Sequence, residues 1–413
     1  MLGAHIDDLL ERASRGERLS AEEGLLLYQE ADLNDLGLVA NAVRQLRVPG
    51  KVVTYLVDRN INYSNVCTTN CSFCGFYRPP GHSESYVQTY EQIGERVAEL
   101  VSVGGTRILM QGGHHPDLPF DWYLNLLRYL QEHYPSIEID AFSPSEIDNF
   151  SRLYGMSARE VLSELKAAGL RGLPGGGAEI LDDEIRQRVS PLKQPAQGWL
   201  DVMREAQALG LATSATNVIG FGEEPRHRMN HLIRLRELND ESIAAHGNGF
   251  TAFIAWPLQH SELTSMGRSR LKDAYGATPV EYLRHMAIAR IMLDNFLHFQ
   301  ASWVTLGPKV GQVSLHYGID DFGSTMLEEN VVSSAAHDTY MAMSERNIHA
   351  LIRDAGYIPA KRDTRYNILK VFETDLLEEE GYLPGSRAMV HGQRGTSIPL
   401  HPAPQAPAAS PRT

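Results

Sequence analysis

From about Val52 onward, short apolar runs alternate with longer stretches whose apolar residues recur at helical spacing. The runs predict strands over Val53–Asn62, Arg107–Gln111, Ile137–Phe142, Gly169–Leu173, Ala212–Ile219, Thr251–Trp256, Leu297–Trp303 and Val313–Tyr317. Between them, apolar positions three and four apart predict helices over Tyr90–Val103, Trp122–His133, Ser157–Ala168, Ala196–Leu209, Pro225–Leu238 and Pro279–Asp294. Strands separated by helices of about 10–15 residues form βαβ units, and such crossovers give a parallel sheet. Eight of them predict an α/β fold, a (β/α)8 TIM-like barrel, in which chemistry collects at the C-terminal strand ends.

The flanks read differently. Residues 4–48 mix charges with Leu9, Leu10, Leu25, Leu26 and Leu27, and Ser20 with Glu23 fits a capping box, so 1–50 is expected to be a helical preface. The barrel is expected over 51–330 and a helical and stranded extension over 331–384. The last segment, 385–413, ends in HPAPQAPAASPRT and is expected to be a disordered tail, having too little apolar content to pack.

Composition narrows the function. With 413 residues and 43% hydrophobic content there is ample material for a buried core. A net charge of −13 argues against a nucleic-acid partner, because phosphate binding needs a basic surface. No run of about 18 apolar residues marks a membrane span, and Met1 to Arg18 lacks the apolar stretch of a signal peptide, so a cytoplasmic location is expected. The three cysteines all fall within one short run, a poor disulfide framework and a good soft-metal site.

That run is Cys67-x3-Cys71-x2-Cys74, on the loop after the first predicted strand. Cubane clusters for electron transfer use four thiolates; three leave one iron open to an exogenous ligand. The competing reading is a Cys3His zinc site completed by His82, His114 or His115, in a binding protein without catalysis. The spacing, with Phe73 before the last cysteine, resembles the signature of the radical S-adenosylmethionine (SAM) superfamily. The resemblance implies a 4Fe-4S cluster on Cys67, Cys71 and Cys74 and SAM chelated at the open iron.

Further motifs end the predicted strands. Gln111-Gly112-Gly113-His114 resembles that superfamily's GGE-type element for the amino group of SAM, without its acidic residue. Its bland alternative is a strand-ending turn. Gly175-Gly176-Gly177-Ala178-Glu179 offers a ligand-facing loop and a carboxylate, and Phe142-Ser143-Pro144-Ser145-Glu146 offers hydroxyls and another. Asn217 to Glu224 resembles an adenine-side element, although Val218 and Ile219 also fit plain barrel core. The polar run from Asp320 to Asn330 suits the end of a substrate pocket.

Several runs together resemble the cyclic dehypoxanthine futalosine synthases of the futalosine route to menaquinone. They are residues 60–78, 108–118, 141–147, 172–181, 249–259, 300–312 and 320–332. Aminofutalosine synthases and the enzymes that build the F420 deazaflavin ring share the cluster motif and remain the alternative. The resemblance implies an oxidoreductase that cyclises dehypoxanthine futalosine after hydrogen is removed from its ribose C4′. It also implies an electron donor such as flavodoxin or ferredoxin. Phe73, Gln111, Gly112, Gly113, Ser143 and Glu179 are expected to bind SAM, and His114, Glu179 and Asp320 to carry the catalysis. His115 is a further candidate base, and Arg78, His114, His115, Arg290 and Lys309 are candidates for the benzoate carboxylate.

Overall fold

The computed structural model describes residues 2–336 and 342–374, so the predicted tail lies outside the described residues. Strands β1 (Val52–Leu56), β2 (Asp58–Asn62), β3 (Arg107–Gln111), β4 (Glu138–Ala141), β5 (Gly172–Leu173), β6 (Ala212–Ile219), β7 (Phe250–Pro257), β8 (His298–Gln300), β9 (Asp321–Ser324), β10 (Ile358–Arg362) and β11 (Ile368–Val371) form one sheet. Its order is β11-β10-β1-β9-β8-β7-β6-β5-β4-β3-β2, parallel throughout except for the antiparallel β10–β11 pair.

The predicted strand Val53–Asn62 divides at Val57. Its first half pairs with β9 and its second with β3. The Leu56 carbonyl accepts from Thr325 N–H at 3.0 Å and the Val57 carbonyl from Thr106 N–H at 3.2 Å. The two ends of the curled sheet therefore meet in one chain segment, giving the eight parallel staves of a barrel. Inward positions alternate with period two. Asp58, Asn60 and Asn62 of β2, Arg107, Leu109 and Gln111 of β3, and Ser214, Thr216 and Val218 of β6 all line its interior.

Two expectations need correction. Val313–Tyr317 is not a strand: it lies in the helix Pro308–Ser314 and the turn after it, a short apolar run whose period was ambiguous. The last stave is Asp321–Ser324, a polar stretch with all four residues buried. The sequence reading also passed over the helix Pro144–Tyr154, which Ser143 caps by accepting the Glu146 N–H and Pro144 opens.

The preface forms three helices, Leu2–Ser14, Ala21–Glu30 and Leu33–Arg47, packed outside the barrel on Pro225–His246 and Pro279–Met292. There Arg228 donates to the Tyr28 hydroxyl at 2.9 Å, and that hydroxyl lies 3.3 Å from His285 Nδ1. The extension is continuous with the barrel sheet: β10 lies beside β1, and the turn between β10 and β11 carries Thr364 and Tyr366 under the N-terminal strand ends. A second, small apolar cluster of Ile180, Ile185, Val189, Phe221, Leu258 and Met266 packs with Phe73 beside the cysteine loop.

Candidate active site

The cysteine loop leaves β2 at the C-terminal end of the barrel and is fixed by backbone bonds to several elements. Cys67 N–H donates to the Arg78 carbonyl (2.9 Å), Thr68 N–H to His114 (3.2 Å), Ser72 N–H to Val189 (3.0 Å), and Met266 N–H to Ser72 (2.9 Å). Cys67 and Cys71 are buried and Cys74 partly so. The Thr69 hydroxyl lies between two thiols, 3.0 Å from Cys67 Sγ and 3.6 Å from Cys71 Sγ. Burial pushes the Cys71 thiol up and the Cys74 thiol to about 11, so these two stay protonated unless a cation stabilises their thiolates.

All three cysteines open into one outer cavity of about 260 Å³. Phe73, Gln111, Gly112, Gly113, His114, Ser143 and Glu179 line it as well, so the residues expected to hold the cluster and SAM, with His114, converge here. The turn at Gly113 is tight. A Cβ there would stand 2.1 Å from the Val66 carbonyl oxygen and 2.8 Å from Cys67 Cβ. Gln111 donates to the Phe142 carbonyl at 3.1 Å, tying β3 to β4. Glu179 in this wall holds positive φ, as do Asn70 in the cysteine loop and Phe142 after β4, a conformation uncommon outside glycine.

Lys193, which the sequence did not single out, and Glu146, seen there only as the carboxylate of the Phe142–Glu146 run, complete this wall. Lys193, in the loop after Asp183–Val189, is largely buried, and its Nζ lies 2.8 Å from Glu179 Oε1. Its pKa is raised: burial works against the charge, but the surrounding thiol and carboxylate outweigh it. Arg186 stands 3.4 Å from the other Glu179 oxygen. Glu146, 2% exposed, accepts from the Tyr63 hydroxyl (2.6 Å), the Ser143 hydroxyl (2.7 Å) and the Gly112 N–H (3.1 Å). Burial raises its carboxyl to about 7 despite these bonds. It pins the first glycine of the Gly-Gly turn in place. The signal was present as Ser-Pro-Ser-Glu, an N-cap followed by a carboxylate.

His114 is buried, and its Nδ1 has no hydrogen-bond partner among the described residues. Burial lowers its pKa to about 3, leaving a neutral imidazole at pH 7. Asp320 is not brought to the site. It precedes β9 with its side chain on the outer face, meeting Arg290 (2.8 Å), His298 (2.6 Å) and the Phe299 N–H (2.9 Å). Burial raises its pKa, but the His298 bond and the Arg290 charge outweigh it and hold the group low. Its neighbour Asp321 points the opposite way, as successive strand residues must, and pairs with Arg362. Arg290 also binds the carbonyls of Leu297 and Gly318, His115 caps the turn at Asp117 and Leu118, Arg78 pairs with Glu84, and Lys309 reaches Gln312. None of these five lines either cavity.

Below the outer cavity lies an inner one of about 280 Å³ inside the barrel. Gln111, Gly176, Thr216, Trp256, Val331 and Val332 line both. The floor of the inner cavity is Asp58, Arg107, Asp140, Arg362 and Tyr366. A reagent formed beside the cysteines thus faces the barrel interior.

The donor set fits a cubane better than zinc. Among the described residues, only Asp182, Glu184 and His227 bring three ligand atoms within 4.8 Å of one another. The three sulfurs therefore stand wider than one zinc ion with bonds of about 2.3 Å would hold them. A cubane spreads its thiolates over separate irons.

Residues 61–235 match the radical SAM superfamily, and residues 247–374 match the CofH/MqnC C-terminal region. A cyclic dehypoxanthine futalosine synthase of Halalkalibacterium halodurans is 46% identical over 92% of this chain and 99% of its own length. An aminodeoxyfutalosine synthase of Thermus thermophilus is 37% identical over 88% and 96%. In fold the chain resembles the FeFe-hydrogenase maturase HydG from Carboxydothermus hydrogenoformans, with 18% identity, a TM-score of 0.66, and coverage of 88% of this chain and 81% of that one. Taken with the cysteine loop and the barrel, these matches mean that the chain is a radical SAM enzyme and belongs to the family of the cyclic dehypoxanthine futalosine synthases.

Proposed function

We propose that this chain closes dehypoxanthine futalosine to cyclic dehypoxanthine futalosine in menaquinone biosynthesis. The observation that carries the reading is the junction of an outer, cysteine-lined cavity with an inner one in the barrel, large enough for a small substrate. When bound, a 4Fe-4S cluster on Cys67, Cys71 and Cys74 with SAM would supply the one-electron, hydrogen-abstracting chemistry that a ring closure through ribose C4′ needs.

The chain's own residues bind, orient and exclude water. Cys67, Cys71 and Cys74 hold the cluster. The Gly112–Gly113 backbone, Gln111 and Ser143 face the methionyl end of SAM, with Phe73 at the cluster's edge. Lys193 supplies a buried cation for the SAM carboxylate, and Glu179 an acceptor for its ribose. Trp256, Val331 and Val332 at the junction keep water from the reacting carbon. After the sugar carbon bonds to the benzoate ring, the ring loses one proton to a nearby base and one electron to an oxidised external carrier, and so regains aromaticity. The proton is strongly acidic, so the neutral His114 imidazole is a sufficient acceptor. An external carrier such as flavodoxin or ferredoxin provides the starting electron.

The test is anaerobic incubation of reconstituted protein with dehypoxanthine futalosine, SAM and a reductant. The expected result is 5′-deoxyadenosine and a product two hydrogens lighter than substrate. Turnover of a chorismate-derived enolpyruvyl benzoate instead would overturn the assignment in favour of aminofutalosine synthesis.

A further inference from the structure

We propose that Asn60 and Gln300 are the residues that recognise the sugar hydroxyls of the substrate, in the depth of the inner cavity. The inference rests on the cyclisation reading above and specifies which part of the substrate enters the barrel. Both side chains line that cavity. Asn60 lies on β2, two residues beyond the floor residue Asp58. Gln300 ends β8 and is in register with Asp321 of β9.

The cations of the cavity are already paired. Arg107 pairs with Asp58 and lies 3.5 Å from Asp140. Arg362 grips Asp321 through two nitrogens, at 2.5 and 3.0 Å, and lies over the Tyr366 ring at 3.8 Å. Most of its hydroxyls are engaged too, though not that of Thr364 at the floor. Ser214 accepts from Gly175 N–H, Thr216 donates to the Gly175 carbonyl, Ser302 bonds Thr305, and Ser324 accepts from Met326 N–H.

The amides of Asn60 and Gln300 make no hydrogen bond to any other described residue. Asn60 is only 8% exposed, and its Oδ1 is buried without a donor. A buried amide oxygen left bare is costly, so Asn60, with the partly buried Gln300 amide on the same cavity, signals a ligand that both donates and accepts. Hydroxyls do both. An anion does not fit, because it would face Asp58 and Asp140 with no free cation beside it. The polyol end of the substrate therefore occupies the depth, and the benzoate carboxylate is kept out of it.

The test measures equilibrium binding of dehypoxanthine futalosine to reconstituted, SAM-loaded enzyme without reductant, so that no turnover intervenes. Asn60→Leu and Gln300→Leu are expected to raise Kd about tenfold or more each, the size of one lost hydrogen bond plus a bare partner. Iron content and SAM affinity should stay at wild-type levels. A substrate analogue lacking a ribose hydroxyl should bind wild type more weakly and lose little further in the variants. If Asn60→Leu fails to take up iron, Gln300→Leu carries the test alone. Wild-type Kd in the variants, or equal further losses for parent and deoxy analogue, would overturn the assignment. Absence of substrate binding to wild type would overturn the proposed function, and this assignment with it.

Discussion

Replacing Gly113 by alanine perturbs the site at a place where the magnitude can be worked from the backbone. The added Cβ would lie 2.1 Å from the Val66 carbonyl oxygen and 2.7 Å from its carbon, both main-chain atoms that no rotamer change can move. Ordinary contact requires the Gly113 turn and the segment 66–67 to separate by roughly an ångström, a shift of the scale that overpacked sites make. Overpacking of this kind costs about 1–3 kcal/mol, which a protein of this size survives. Function is more sensitive. Cys67 follows Val66 directly, and Gly112–Gly113 forms the wall facing SAM, so the cluster and its ligand would move relative to each other. A misplacement of about 1 Å is enough for a loss on the order of 10²-fold. The assay is anaerobic reconstitution of Gly113→Ala, with iron and sulfide per chain, circular dichroism, and the rate of 5′-deoxyadenosine release. Retained secondary structure with a hundredfold slower release, or with impaired iron uptake, is the expected outcome. Wild-type iron content and wild-type release would show that this wall does not hold the site.

Three further outcomes follow from the same geometry. Lys193→Met should weaken SAM binding to the reconstituted protein by about ten- to a hundredfold, since a bond to a charged group contributes roughly 1.5–3 kcal/mol; calorimetric titration with SAM checks it. Asp320→Asn should lower the melting temperature while leaving turnover per folded, cluster-bearing molecule unchanged. It strips the partner from the fully buried Arg290, a change costing about 3–5 kcal/mol, yet touches neither cavity. Glu146 holds its proton more tightly folded than unfolded, with its pKa raised from 4.5 to about 7. Its contribution to stability is therefore complete below about pH 4.5 and is lost as pH rises through 7, on the order of 3 kcal/mol in all. Denaturant titrations from pH 5 to 8 should show wild type losing stability relative to Glu146→Gln across that window. A pH-independent difference between the two would contradict the burial argument.

The parts of the site that were legible in the sequence are those in which the chemistry is contiguous. Cys67, Cys71 and Cys74 share one loop, and Gly112–Gly113 and the Gly175–Glu179 run each end a strand with a visible apolar pattern. Lys193 was illegible because it enters from a loop in Ser-Pro-Leu-Lys, which reads as a solvated turn. Only the fold carries its ammonium to Glu179. Asp320 and Asp321 are adjacent and chemically identical in the sequence, and the strand's two-residue period decides which faces inward. The division of 52–62 at Val57 was hidden because both halves are extended and run on without a turn signal; what separates them is their partners, far away in the chain. Likewise Arg362 and Tyr366, which close the barrel floor, sit in an extension with no signal of its own that it returns to the core.

The central claim is that a radical formed in the outer cavity reaches a sugar carbon held in the inner one. Its most direct measurement uses dehypoxanthine futalosine carrying deuterium at ribose C4′, incubated anaerobically with the reconstituted enzyme, SAM and a reductant, followed by mass spectrometry. The account requires one deuterium in 5′-deoxyadenosine and none left at that carbon of the cyclised product. Cyclised product that keeps the label, or 5′-deoxyadenosine formed at the normal rate without it, would contradict the account.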